Sequence, residues 1–129
     1  MERRLFIKNR ADSPYVLFDS NEGFGEISGK SFPPDVSEFY APLIQWFELF
    51  KYELNNSFEL NIKFDYVNTA SLKLLMDLMF KLEEVVNEGK RIIIKWFYPD
   101  DDLEMLEIGE EFSKIIKLDF EYISYTKKY

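Results

Sequence analysis

"DYVNTASLKLLMDL", residues 65–78, joins an apolar strand-like run to a leucine-rich helical run through four small residues, Asn68-Thr69-Ala70-Ser71. Upstream, FELNIKFDYV (58–67) alternates, with Phe58, Leu60, Ile62, Phe64 and Tyr66 on one face of a half-buried strand. Downstream, Leu72, Leu75, Met76, Met79, Leu82 and Val86 recur at helical spacing as far as Asn87, and Gly89 is a natural stop. A strand that passes directly into a helix is the repeating unit of an α/β fold.

Outward from this junction the alternation of strands and helices continues. KRIIIKWFY (90–98) is almost continuously apolar, which predicts an interior strand covered on both faces. PDDDLEMLEIGEEFSKII (99–116) predicts an acidic loop and a third helix, interrupted or tightened at Gly109, and LDFEYISY (118–125) a last strand. On the N-terminal side, PYVLFD (14–19) and GFGEISG (23–29) predict a hairpin turning at SNEG, with Gly23 at positive φ. These glycines do not form a GxGxxG motif and no helix follows the first two, so a phosphate-cradling loop is disfavoured. SFPPD (31–35) is a turn, and Asp35 is the N-cap of a helix over 36–54 with Phe39, Leu43, Trp46 or Phe47, and Phe50 as its apolar stripe. Pro42 either kinks this helix or opens its main segment, and NNS (55–57) punctuates the chain after it. The pattern predicts one α/β domain over residues 1–129. Its sheet is mixed but largely parallel, with an N-terminal β-hairpin and about three flanking helices.

Composition narrows the chemistry. With 13 Phe, 8 Tyr and 2 Trp in 129 residues, aromatics supply much of the core. No apolar stretch approaches the ~20 residues of a membrane span, and the run Leu5-Phe6-Ile7 is too short for a signal peptide, so a cytoplasmic protein is expected. The net charge of −8 opposes nucleic-acid binding; the basic runs MERRLFIKNR and TKKY are short and terminal. There is no Cys and no His, which removes thiolate nucleophiles, cysteine zinc sites and the usual neutral-pH general base. Any enzyme built here must work with carboxylates, Lys, Tyr and hydroxyls, so most reaction classes recede, and no cofactor is expected.

Two features remain as candidate sites. Asn68, Thr69 or Ser71 can cap the helix that follows, and on composition alone Thr69 reads as part of that cap. The same position suits a phosphorylated hydroxyl, because free backbone N–H groups and the positive end of a helix dipole favour a group of about −1.5 to −2 charges. Lys73, one turn on, could reach back to such a phosphate, and Asp65 would repel it from the same side. The other feature is the acidic run Asp100-Asp101-Asp102 with Glu104, Glu107, Glu110 and Glu111. It fits no calcium-loop pattern and reads as a solvated loop with acids in the first helical turn; partner binding, or a small Mg²⁺-dependent enzyme using Asp100, Asp101 and Glu104, is the alternative. Trp46 and Trp96 read as core, while Tyr66 could be core or border the Thr69 surface.

Five separated stretches, EISGKSFPPD (26–35), PLIQWFE (42–48), FDYVNTASLKLLMDL (64–78), IIIKWFYPDDD (92–102) and LEIGEEF (106–112), together resemble the SiaC family of bacterial regulatory phosphoproteins. The resemblance runs from about Pro14 to Phe120 and implies a STAS-like fold similar to anti-sigma-factor antagonists. It implies a non-enzymatic partner-switching protein whose threonine is phosphorylated by a serine/threonine protein kinase and restored by a metal-dependent serine/threonine phosphatase. The bare form would bind and activate a diguanylate cyclase, in cyclic-di-GMP and biofilm signalling. Carried over by position, the phosphoacceptor is Thr69, with Ser71 the weaker alternative; Ala70 stands where a serine is common in the family. Asn68, Thr69, Ser71 and Lys73, with Asp100, Asp101, Asp102 and Glu104, form the expected partner-binding surface. A STAS-like ligand sensor is the further alternative, and it would require a polar pocket.

Overall fold

The computed structural model describes residues 3–54 and 57–128. Asn55 and Asn56 of the predicted NNS break lie outside the described residues. Six strands form one sheet in the order of the chain: β1 (Arg4–Ile7), β2 (Tyr15–Asp19), β3 (Phe24–Ser31), β4 (Ser57–Val67), β5 (Arg91–Pro99) and β6 (Asp119–Tyr125). β1, β2 and β3 are antiparallel neighbours, and β3 to β6 are parallel. The parallel neighbours are connected by α1 (Val36–Phe50), α2 (Thr69–Asn87) and α3 (Leu103–Ile115). Right-handed crossovers that always advance toward the same edge lay all three helices on one face. The predicted hairpin is β2–β3, turning through Gly23 at φ +65, and α2 stops where Gly89 takes φ +103. β1 adds an edge strand that the sequence reading left as a terminal run.

The core fills the space between the sheet and the helices. Phe18, Phe47, Phe58 and Trp46 pack ring against ring at centroid separations of 4.9–6.4 Å, tying β2 and β4 to α1. α1 keeps a single helical span through Pro42, and Asp35 caps it by accepting the N–H of Glu38 at 3.0 Å. Its buried stripe is Tyr40, Leu43, Trp46 and Phe47; Phe39 and Phe50 sit only part-way in.

Four expectations need correction. β5 is covered on one face: Ile92, Ile94 and Trp96 are buried under helices, whereas Ile93, Lys95 and Phe97 lie half-buried on the helix-free face. An apolar run cannot by itself separate this from full burial, because Ile93 and Phe97 are as apolar as the buried residues of the strand yet stay half-buried. The stripe of α2 is rotated: Leu75, Leu78, Met79, Leu82 and Val85 are buried, while Leu72, Met76 and Val86 are half-exposed. Gly109 does not interrupt α3. It lies against the indole of Trp96, where a Cβ would come within 2.6–2.7 Å of three ring atoms, and this close approach seats α3 on β5.

The fourth correction concerns Tyr66. Gly29 pairs with Phe64 but Lys30 pairs with Tyr66, so Asp65 is an extra residue, a β-bulge in β4. One added residue reverses which face later side chains occupy. Val67 therefore packs against the core, while Tyr66 leaves the face of Phe58 to Phe64 and is 51% exposed, edge-on to the ring of Phe32 at 5.6 Å.

Candidate functional site

The parallel strands β3, β4 and β5 all end at the same edge of the sheet, so the turns that follow them are brought together. This is where open α/β sheets place their sites. At the end of β4, Asn68 takes extended backbone angles and its side chain accepts the N–H of Ser71 at 2.8 Å, making it the N-cap of α2. The cap is thus Asn68, and the side chain of Thr69 is left in the first helical turn, exposed. Lys73 is also exposed, one turn further along α2.

Ser71 is different. It is fully buried, and its hydroxyl belongs to a chain of hydrogen bonds beneath the junction. Tyr40 Oη lies 2.7 Å from Ser31 Oγ, Ser31 Oγ donates to Ser71 Oγ at 2.8 Å, and Ser71 Oγ donates to the Ser31 carbonyl at 3.1 Å. Since Ser31 gives its proton to Ser71, the phenol of Tyr40 is the donor at the head of the chain. Burial pushes that phenol up to about 12, so it holds its proton across the physiological range. The Ser31 carbonyl also accepts the N–H of Asn68 at 3.0 Å. Three elements, α1, β3 and α2, are therefore pinned at one point, which fixes the start of α2 and the side chain of Thr69 with it. Ser71, expected as the weaker alternative acceptor and as a partner contact, is buried here, and a kinase or a partner would have to unseat α2 to reach it.

Thr69 opens onto a groove between α2 and α3. α1 and α2 pack on each other, whereas α3 sits over β5 and β6, and the gap left between α2 and α3 is an open trough of about 700 Å³. Thr69, Leu72, Lys73, Met76 and Asp77 of α2 form one wall; Glu104, Glu107, Ile108, Glu111, Phe112 and Ile115 of α3 form the other. Each set repeats at helical spacing, so each is one face of its helix.

The expected acidic surface divides. Glu104 joins Thr69 and Lys73 on the groove. Asp102 is instead the N-cap of α3, accepting the N–H of Met105 at 3.0 Å, and Asp100 accepts the hydroxyl of Thr126 at 2.9 Å. Asp101 is exposed in the turn. Among the described residues no three carboxylates converge into a group that could hold a metal ion. The helix-free face carries a shallow hollow of about 620 Å³ lined by Tyr15, Glu26, Asn61 and Lys63, among others. The groove residues Leu72, Met76, Ile108 and Ile115 escaped the sequence reading because apolar residues at helical spacing look the same whether they face a core or an unfilled trough.

A family model described as "SiaC family regulatory phosphoprotein" matches residues 7–125. The chain belongs to the SiaC family. It is 30% identical over 108 residues to an uncharacterised protein of Pseudomonas aeruginosa (strain UCBPP-PA14), spanning 84% of this chain and 86% of that one. Among solved structures, SiaC of P. aeruginosa superposes with a TM-score of 0.85 at 27% identity, covering 95% of this chain and 99% of that one. The crystal structure of the P. aeruginosa diguanylate cyclase SiaD in complex with its activator SiaC matches with a TM-score of 0.87 at 27% identity, covering 94% and 99%. The three-helix, six-stranded arrangement is thus the SiaC fold, and membership makes the chain a regulatory protein.

Proposed function

We propose that this chain is a non-enzymatic, cytoplasmic partner-switching protein, with Thr69 as its phosphoacceptor and a diguanylate cyclase as the partner of its bare form. The observation that carries this is the contrast at the α2 junction. Asn68 is used as the cap, Ser71 is buried in the hydroxyl chain, and Thr69 offers an exposed hydroxyl beside the groove. The relative solved as an activator in complex with a cyclase supports the nature of the partner. A serine/threonine kinase adds the phosphate and a metal-dependent phosphatase removes it.

A phosphate on Thr69 would lie at the N-terminus of α2, where the helix dipole favours negative charge, and within one turn of the Lys73 ammonium. A partner seated over Thr69 would have to strip water from this dianion, at a cost on the order of several kcal/mol unless it supplied cations of its own. Binding is then lost without refolding. The test is phosphosite mapping by mass spectrometry on protein from its own host, paired with titration of a cyclase from the same genome. Phosphate on Thr69, and binding kept by Thr69→Ala but lost in Thr69→Glu, is expected; phosphate absent from Thr69 under all growth conditions would sink the switch.

A further inference from the structure

We propose that the open edge of β6 is a strand-pairing surface for a second copy of this chain, the two β6 strands running antiparallel about a two-fold axis at Ile123. The two edges of the sheet differ in how they resist pairing. β1 is an edge of four residues that carries Arg4 and is flanked by Arg3 and Lys8, and short length and cations are what blunt an edge. β6 is longer, seven residues in unbroken register with β5, and it holds no Pro, Gly, Lys or Arg. The Tyr125 carbonyl accepts the N–H of Asp100, so the backbone groups of Asp119, Glu121, Ile123 and Tyr125 face β5. Those of Phe120, Tyr122 and Ser124 face outward, and no described strand lies beyond them.

The charges around this edge select its own copy as the occupant. LDFEYISYTKK (118–128) has its carboxylates, Asp119 and Glu121, before Ile123 and its ammonium groups, Lys127 and Lys128, after it. Antiparallel pairing about Ile123 sets Asp119 of each copy directly opposite Lys127 of the other, and opposite charges across a strand pair are favourable. An axis one residue earlier, at Tyr122, would set Lys117 against Lys127 instead. On the helix-free face Ile123 then meets its own equivalent, apolar on apolar, while Tyr122 exchanges backbone hydrogen bonds with Ser124. Such a contact is isologous and closes at two copies, so it uses up the edge without leading to filaments. The product is a sheet of twelve strands, six from each copy. Because the two sets of strands run in opposite directions, the Thr69 ends point away from each other and both stay open.

The chain has no cysteine, so a single introduced one reports the pairing without interference. Directly opposite residues whose backbone groups face away from the partner strand have Cα atoms about 4.5 Å apart, inside the range a disulfide spans. Ser124 lies opposite Tyr122, which leaves the two Ser124 positions beyond the ~7 Å limit of a disulfide. Under mild oxidation of the full chain, Ile123→Cys should therefore form a linked dimer roughly tenfold faster than Ser124→Cys, and than Lys8→Cys beside the other edge. Sedimentation of the unmodified chain needs no variant: its mass should rise with concentration from 15.5 kDa toward twice that value. Asp119→Lys should weaken this association roughly tenfold and Asp119→Lys with Lys127→Asp restore it, with the melting temperature unchanged. A wild-type chain that stays at 15.5 kDa up to millimolar concentration would overturn the second copy as occupant and leave the edge to an extended segment of another protein. Preferential crosslinking from Ser124→Cys would overturn the register, and from Lys8→Cys the choice of edge.

Discussion

Replacing Gly109 with alanine sets two opposing effects against each other at one atom. Alanine inside a helix is favoured over glycine by about 1 kcal/mol, so on propensity alone Gly109→Ala should stabilise α3. The added methyl, however, would lie 2.6–2.7 Å from three atoms of the Trp96 ring, closer than carbon atoms can approach. Trp96 cannot step aside easily: it is fully buried, packs between Phe64 and Phe112, and donates its indole N–H to the carbonyl of Met105 at 2.9 Å. Overpacking of a rigid core commonly costs about 1–3 kcal/mol, and three contacts to an immobile ring place this case at the upper end. The net loss is then about 2 kcal/mol, or roughly 8 °C in melting temperature for a chain of this size. Thermal denaturation by circular dichroism, repeated in a Trp96→Leu background, is the assay. In that background the clash is gone and Gly109→Ala should be neutral or stabilising, a coupling that a double-mutant cycle measures. If Gly109→Ala alone left the melting temperature unchanged or raised it, the account of how α3 is seated would be wrong.

Removing the cap of α2 in Asn68→Ala should cost about 1 kcal/mol, read from urea unfolding. Tyr40→Phe should cost about 1 kcal/mol by taking away the donor that heads the buried hydroxyl chain, and protection of the α2 N-terminal amides from hydrogen exchange should fall with it. Thr69→Glu should weaken cyclase binding at least tenfold by calorimetry while the melting temperature of the free chain stays within about 2 °C of the wild type. Burial tends to raise the Asp19 carboxyl, but the N–H groups of Glu22 and Asn21 and the Arg4 guanidinium outweigh it and hold the group below its ordinary value. A depressed carboxyl contributes stability above the unfolded value of about 4 and loses it as pH falls through the lower folded value, so the decline in melting temperature below about pH 4 should be shallower in Asp19→Asn.

In the central unit, β4 and α2 were legible because each carries a period that only one structure satisfies: two for 58–64, 3.6 for 72–86. The caps Asp35 and the α2 stop at Gly89 were legible because they rest on local chemistry. What escaped depended on contacts distant in sequence. The bulge at Asp65 is defined against Gly29 and Lys30 of β3, so the strand's own alternation gave no warning that Tyr66 would turn outward. The role of Gly109 requires knowing that Trp96 lies beneath it. At the site, Thr69 and Lys73 were placed on one surface by helical spacing alone. That Ser71 is withdrawn from the surface follows from a partner forty residues away, Ser31.

The identity between strand order in the sheet and strand order in the chain bears on how the molecule is made. Each strand after β1 finds its neighbour already synthesised, so the sheet can grow by accretion at one edge as the chain leaves the ribosome. α3 and β6 come last, and with them the second wall of the trough. A nascent chain halted after β5 would carry Thr69 on α2 with only one wall of the trough beside it, so the trough exists only in chains whose synthesis has passed α3.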